Sequence, residues 1–273
     1  MEGLLFTKII ATDMDGTFLR PDGTYDQERL AKLLPQLTDA GYRFVAASGR
    51  SLLTLKTLFK DFETQMAFIA ENGCIVEDEG NLIFEAQMAT ADYLAIVAEL
   101  ENNPDCKGYL LSGKNGAYVP QSSTPDYLKS ARHYYANVQV VDIKRVTDKI
   151  LKVSTKFQYD KAHAFTRQLN QKLTDFQAVV TGFDGIDIIP RAYDKATGLD
   201  SLCEQYGIPA KNVLAFGDNY NDLEMLAYAG RAIVPANGVD KAKAIADELI
   251  ADNSQESVLD YLEGLVAACQ ESD

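Results

Sequence analysis

The chain has no tryptophan, only two histidines and only four cysteines in 273 residues. With His133 and His163 alone, a multi-histidine metal site and a Ser–His catalytic pair both have little to draw on. Cys74, Cys106, Cys203 and Cys269 show no metal or redox spacing, so they fit core thiols in a reducing compartment better than a disulfide framework. Positive charge is also scarce: 26 Lys and Arg against 40 Asp and Glu leave a formal net charge of −14. That balance argues against a nucleic-acid or anionic-membrane surface, both of which need clustered cations. No run reaches the roughly 18 apolar residues of a membrane span. The start, MEGLLFTKIIATD, has an acid at position 2 and no small-residue cleavage site, so no signal peptide is read and a cytoplasmic location is expected.

What is present is a globular composition, 47% hydrophobic and 24% charged, long enough for one large or two moderate domains. In the first third, apolar strand-like runs alternate with helical ones. A strand near 6–12 precedes a helix carrying Leu30, Leu33, Leu34 and Leu37, for which Thr24 and Gln27 are expected to form the capping box. RFVAAS, a helix through LLTLKTLF and the strand MAFIA follow. The alternation resumes at about residue 186, with GIDIIP, NVLAFGD, RAIVP and ELIAD as strands. Such interleaving predicts an α/β architecture, a parallel sheet doubly wound with helices on both faces. Between them, at 86–185, runs such as LKVSTKFQ and FQAVVTGF alternate polar and apolar residues, which predicts an inserted α+β unit, an open-faced sheet with helices on one side. The expected division is therefore 1–85 and 186–273 for the first unit and 86–185 for the second.

In a parallel sheet, ligands gather at the carboxyl ends of the strands near the point where strand order reverses. Asp13 and Asp15, Ser48 with Gly49, Asn72, and Asp218 with Asn221 and Asp222 all fall at such ends, and Lys195 follows at the start of a helix. Residues i and i+2 of an extended segment face one side, so Asp13 and Asp15 can serve one reacting atom, one ionised and the other protonated. A cluster of hard oxygens without histidine or thiolate points to Mg²⁺. The acid pair alone leaves glycosyl transfer, calcium binding and phosphoryl transfer open, although Phe18 stands where a calcium loop needs glycine and no acid closes such a loop. Arg50 has three readings: a substrate contact, a bridge to the inserted unit, or a salt bridge. Asn72 is either a phosphate-side group or half of a tight turn. His133, His163, Tyr134 and Tyr135 are read as core or surface residues ahead of pocket-lining ones.

Taken together, DMDGT after a strand, ASGR ending the second, the lone Lys195 and GDNYND resemble the haloacid dehalogenase superfamily of phosphohydrolases. ENG at 71–73, DIIPRAYDK at 187–195 and the long insertion are similar to its Cof-type, type IIB branch. The resemblance covers nearly the whole chain and implies a Rossmann-like core with an α+β type C2B cap that sets substrate preference. It implies Asp13 as the nucleophile forming an aspartyl phosphate, Asp15 as general acid and base, and Lys195 and Ser48, with Gly49, around the phosphoryl group. Mg²⁺ would be held by the Asp13 carboxylate, the Asp15 backbone carbonyl and Asp218, with Asn221 near the phosphoryl group and Asp222 as an orienting residue. The chain departs from the family pattern in two places: Ala196 follows the lysine where glycine is common, and Ala192-Tyr193 precede it where a glycine followed by a small apolar residue is usual. Both are expected to bear on substrate fit. The expected activity is hydrolysis of a small phosphorylated metabolite, such as a sugar phosphate, a flavin mononucleotide or pyridoxal phosphate, by a monomer or homodimer. The alternatives are a phosphomutase-like phosphotransferase and a catalytically silent ligand-binding scaffold.

Overall fold

The computed structural model describes residues 6–158, 161–181 and 185–271. In chain order, the first stretch runs β1 (Lys8–Thr12), α1 (Gln27–Asp39), β2 (Tyr42–Ala47), α2 (Leu52–Leu58), β3 (Ala67–Ala70), β4 (Ile75–Asp78) and β5 (Asn81–Glu85). The middle holds α3 (Thr90–Glu101), β6 (Cys106–Gly113), β7 (Ala117–Pro120), α4 (Pro125–Tyr134) and β8 (Val138–Val141), then β9 (Ile150–Phe157), α5 (Ala162–Lys172), β10 (Phe176–Thr181) and β11 (Gly185–Pro190). The last stretch is α6 (Lys195–Tyr206), β12 (Val213–Phe216), α7 (Leu223–Tyr228), β13 (Arg231–Pro235), α8 (Asp240–Ala244), β14 (Glu248–Ile250) and α9 (Ser257–Gln270).

An eight-stranded sheet in the order β14-β13-β12-β1-β2-β3-β4-β5 carries the first and last stretches. It is parallel from β14 to β3 and ends in the antiparallel β3-β4-β5 edge. Alternation along its strands sorts side chains to two faces. Ile10, Phe44, Phe68 and Phe216 pack under α1, α2 and α9, whereas Ile9, Val45, Ile69 and Ala215 pack under α6, α7 and α8. The chain steps outward from β1 to β2 and β3, then returns to β12 on the other flank, so strand order reverses between β1 and β12.

Two local expectations change. Helix α1 is capped by Asp26, whose side chain accepts from the Arg29 amide; Thr24 instead bonds Asp22, because the Asp26 carboxylate stands one residue before the helix and is the stronger acceptor. The return to the first sheet expected at residue 186 is also corrected. GIDIIP forms β11, which pairs antiparallel with β9 and β10 in a second, six-stranded sheet of order β10-β11-β9-β6-β7-β8. Its run of buried apolar residues reads equally well as a strand of either sheet; the hydrogen-bond partners decide. The chain rejoins the first sheet's helices at α6.

On the second sheet, α3 and α5 cover one face, packing Tyr93, Ile96, Phe165 and Leu169 on Leu111 and Val153. Helix α4 packs on the opposite face, with Tyr127 and Ala131 against Leu110 and Val119, so the helices are not all on one side. Gly108, at φ +155°, makes room for this: a Cβ there would lie 2.4 Å from the Tyr127 ring. The strand expected over FQAVVTGF ends at Thr181, and Gly182 and Phe183 lie outside the described residues.

Candidate active site

Four neighbouring strands of the first sheet deliver polar side chains to one rim: β12 leads to Asp218, β1 to Asp13, β2 to Ser48 and β3 to Asn72. The loop after β1 is tied back on itself, with the Phe18 amide donating to the Asp13 carbonyl and the Leu19 amide to that of Met14. Gly16 sits there at φ +89°, and a Cβ would come within 2.5 Å of the Asp218 carboxylate. Glycine therefore lets the DMDGT turn close on Asp218.

Lys195 is the first residue of α6, behind an Asp194–Thr197 capping box, and is fully buried. Its ammonium donates to Asp13 Oδ1 and, at 2.6 Å, to Asp222 Oδ1. The other oxygen of Asp222 accepts the amides of Asp218 and Asn219 at 3.0 and 2.9 Å. Both oxygens of Asp222 are thus committed to orienting its neighbours. Thr17 donates its hydroxyl to Asp218 Oδ1 at 2.8 Å. Carboxylate oxygens of Asp13, Asp218 and Asp222 lie within 4.8 Å of one another. Burial pushes the Asp13 carboxyl well up, and Asp222 and Asp218 add to this against the opposing pull of Lys195. Burial and Asp222 likewise push Asp218 up to about 7. Burial opposes the charge on Lys195, yet Asp13 and Asp222 hold its pKa above the ordinary lysine value. Three buried acids around one lysine leave negative charge uncompensated, and all their donors are hard oxygens. The set fits a small divalent cation.

Asp15 lies at the open side of the same rim, with its side chain about half exposed (56%). Arg50 grips it in a fork, Nε to Oδ2 at 2.7 Å and a terminal nitrogen to Oδ1 at 2.5 Å. Arg50 therefore forms a salt bridge while still lining the cavity. Ser48 is buried, and its hydroxyl accepts the Arg50 amide at 3.1 Å. Asn72 donates to Asp187 at 2.8 Å and accepts from Asn221 at 3.1 Å. Glu71 and Asn72 both occupy the left-handed region, at φ 53° and 54°, a conformation that costs non-glycine residues and persists where the surroundings enforce it. Gly73 follows at φ +94°, where a Cβ would overlap the Asp194 carbonyl oxygen, so this turn packs directly on the start of α6.

A cavity of about 460 Å³ opens between the two sheets, lined below by Asp13, Asp15 and Ser48 and above by Tyr134, Tyr135 and Lys152. Tyr134, the last residue of α4, and Tyr135 after it both line this cavity, so the pocket-lining reading applies to them, while Tyr134 is also a surface residue, 54% exposed. Tyr193 is not among the residues lining it; its ring packs on Phe84 at 4.9 Å, so this departure from the family pattern bears on packing.

Sequence reasoning missed a second charged cluster. Lys152 of β9 and Asp187 of β11 come from the six-stranded sheet, Glu71 from the turn after β3, and all three are buried. Lys152 lies 3.0 Å from Glu71 Oε2 and 2.8 Å from Asp187 Oδ2, and it donates to the Gly49 carbonyl. Ser112 donates to Glu71 at 2.6 Å. The available signals were an acid inside the apolar run GIDIIP and the polar alternation of Lys152, Ser154 and Lys156.

A family model described as haloacid dehalogenase-like hydrolase matches residues 10–262. The chain belongs to this family. It is an enzyme of the hydrolase class. The chain is 32% identical over 258 residues to 5-amino-6-(5-phospho-D-ribitylamino)uracil phosphatase YbjI of Escherichia coli, covering 94% of this chain and 95% of that one. Pyridoxal phosphate phosphatase YbhA of the same organism is 23% identical, covering 94% and 97%. Among solved structures, SMU.1108c from Streptococcus mutans superposes with a TM-score of 0.91 at 27% identity, covering 96% of this chain and 99% of that one. The subclass IIB sugar phosphatase BT4131 shares the fold at a TM-score of 0.81 and 15% identity, covering 95% and 99%. Among the described residues, no helix is long and apolar enough to cross a membrane.

Proposed function

We propose that the chain is a Mg²⁺-dependent phosphatase of small-molecule phosphate monoesters, working through an aspartyl phosphate on Asp13. The observation that carries this reading is the buried Asp13–Lys195–Asp222 contact beside Asp218, opening on a cavity whose other wall comes from the six-stranded sheet.

Asp13 attacks phosphorus in line, and the bond from phosphorus to the leaving oxygen breaks. Asp15, at the solvent-facing side of the rim, gives its proton to that oxygen. It then takes a proton from water as the water oxygen attacks the same phosphorus, releasing orthophosphate and restoring the Asp13 carboxylate. Lys195 neutralises charge on the transferring group, Ser48 and the Gly49 backbone hold its oxygens, and Asn221 contacts it from the far side. The carboxylates of Asp13 and Asp218 and the Asp15 carbonyl would hold Mg²⁺, which would supply the charge neutralisation that lets so many acids share one site. Asp222 orients Lys195 and the backbone that carries Asp218.

Residues 86–190 act as a cap that limits water access and sets substrate preference. Relatives acting on a ribitylaminouracil phosphate and on pyridoxal phosphate support a small phosphorylated metabolite as substrate. The composition supports a cytoplasmic enzyme without nucleic-acid or membrane partners. Asp13→Asn is expected to lower turnover of p-nitrophenyl phosphate in Mg²⁺ by about a thousandfold or more with an unchanged circular dichroism spectrum. Near-wild-type turnover in that variant would falsify the nucleophile assignment. Product analysis with sugar monophosphates and bisphosphates separates hydrolysis from transfer to a second hydroxyl.

A further inference from the structure

Lys152 enters none of the steps above, yet it is buried and reaches from one sheet into the other. It stands on β9 of the six-stranded sheet, opposite Ser112 of β6. From there its ammonium meets the Gly49 carbonyl, in the loop that follows β2, and the Glu71 carboxylate, in the turn after β3. Its third partner, Asp187 Oδ2, is also the acceptor for the Asn72 amide at 2.8 Å. That bond fixes which way the Asn72 amide points, so that its oxygen faces Asn221 and accepts from it at 3.1 Å. Asn72 in turn packs on Gly49, where an added Cβ would lie 3.1 Å from the Asn72 oxygen. One ammonium group therefore touches, directly or through one carboxylate, both segments that flank the expected phosphoryl position.

We propose that Lys152 is a positioning residue: it sets the Ser48-Gly49-Arg50 loop and the Asn72–Asn221 pair in their phosphate-binding geometry. This rests on the phosphatase reading above and adds to it a connection between the cap and the phosphate loop. The β9–β11 face holds the loop only while the two sheets are together, so phosphate affinity and the seating of the cap rise and fall together. Displacements of about 1 Å at such groups cost on the order of a hundredfold in rate.

The test uses the full chain in Mg²⁺, with p-nitrophenyl phosphate turnover and calorimetric binding of inorganic orthophosphate as separate readouts. Lys152→Met leaves two buried acids without their cation, so a second variant, Lys152→Met with Glu71→Gln, removes one charge of each sign and keeps Asp187 on Asn72. In this folded double variant, kcat and orthophosphate affinity are each expected to fall on the order of tenfold or more. Adding Asn72→Ala is expected to cost less than the product of the separate losses, because both changes act on one network. A folded double variant with kcat and orthophosphate affinity within about twofold of wild type overturns the proposal, as do losses that simply multiply. A wild-type protein that binds orthophosphate but turns over no ester refutes the phosphatase reading alone, and the binding comparison still decides Lys152. No turnover and no orthophosphate binding in the wild type overturns both.

Discussion

Two buried lysines each stand between two carboxylates, and the clusters differ in what surrounds them. Lys195 lies between Asp13 and Asp222 with a third acid, Asp218, close by. Lys152 lies between Glu71 and Asp187, with Ser112, Asn72 and the Gly49 carbonyl completing the set. The first is drawn from helix and loop starts at the rim of one sheet and keeps an excess of acid beside a cavity. The second is drawn from both sheets, and hydrogen bonds from Ser112 and Asn72 share the charge of its acids. Burial raises the Glu71 pKa, but Lys152 and Ser112 oppose the rise. The excess of acid suits the first cluster to the cation and reactant proposed above, whereas the closed second cluster suits the positioning role proposed for Lys152.

Removing each lysine sharpens this contrast. Lys195→Met is expected to lower kcat/KM for p-nitrophenyl phosphate on the order of a thousandfold, about 4 kcal/mol of transition-state stabilisation, measured by steady-state kinetics. Lys152→Met alone breaks a buried ion cluster and is expected to cost about 3 kcal/mol of stability in urea unfolding. Saturating Mg²⁺ is not expected to restore that loss. Next in size, Mg²⁺ at a hundred times its Kd is expected to stabilise the wild type by about 2.7 kcal/mol, seen as a higher thermal midpoint. Asp218→Asn should largely abolish that increment, and an equal increment in the variant would move the metal away from Asp218. The smallest effect belongs to Arg50→Ala. Its partner Asp15 is half exposed, so stability should change by less than about 1 kcal/mol, checked by the same urea titration.

Much of the acid-rich site was legible because it is built from strand ends. A hydrophobic strand that stops at Asp13, Ser48, Asn72 or Asp218 announces its polar end in sequence, and parallel order brings such ends to one rim. The Lys152 cluster was not legible in the same way. Lys152 sits mid-strand among residues that alternate as any half-exposed strand does, and Asp187 sits in a run that fits a strand of either sheet. Only pairing decides which sheet GIDIIP joins, and pairing depends on partners distant in sequence. The cavity-lining place of Tyr134 and Tyr135 ranked second in the sequence for a related reason: α4 crosses to the sheet face opposite α3 and α5, and a helix's own periodicity does not say which face of a sheet it will cover.

The alternation along β9 has a last consequence, for insertions and deletions. Lys152, Ser154 and Lys156 line the cavity, while Val153 packs beneath α3 and α5. A slip of one residue in this strand would exchange the lysine with the valine, sending a charge into the helix-covered layer and an aliphatic group toward Asp187. A slip of two would keep the alternation from Lys152 onward, but at the irregular start of the strand, where Ile150 packs in the same cluster as Val153, it would not. Length changes in the loop before β9 are therefore tolerable only where the strand's even–odd phase survives them.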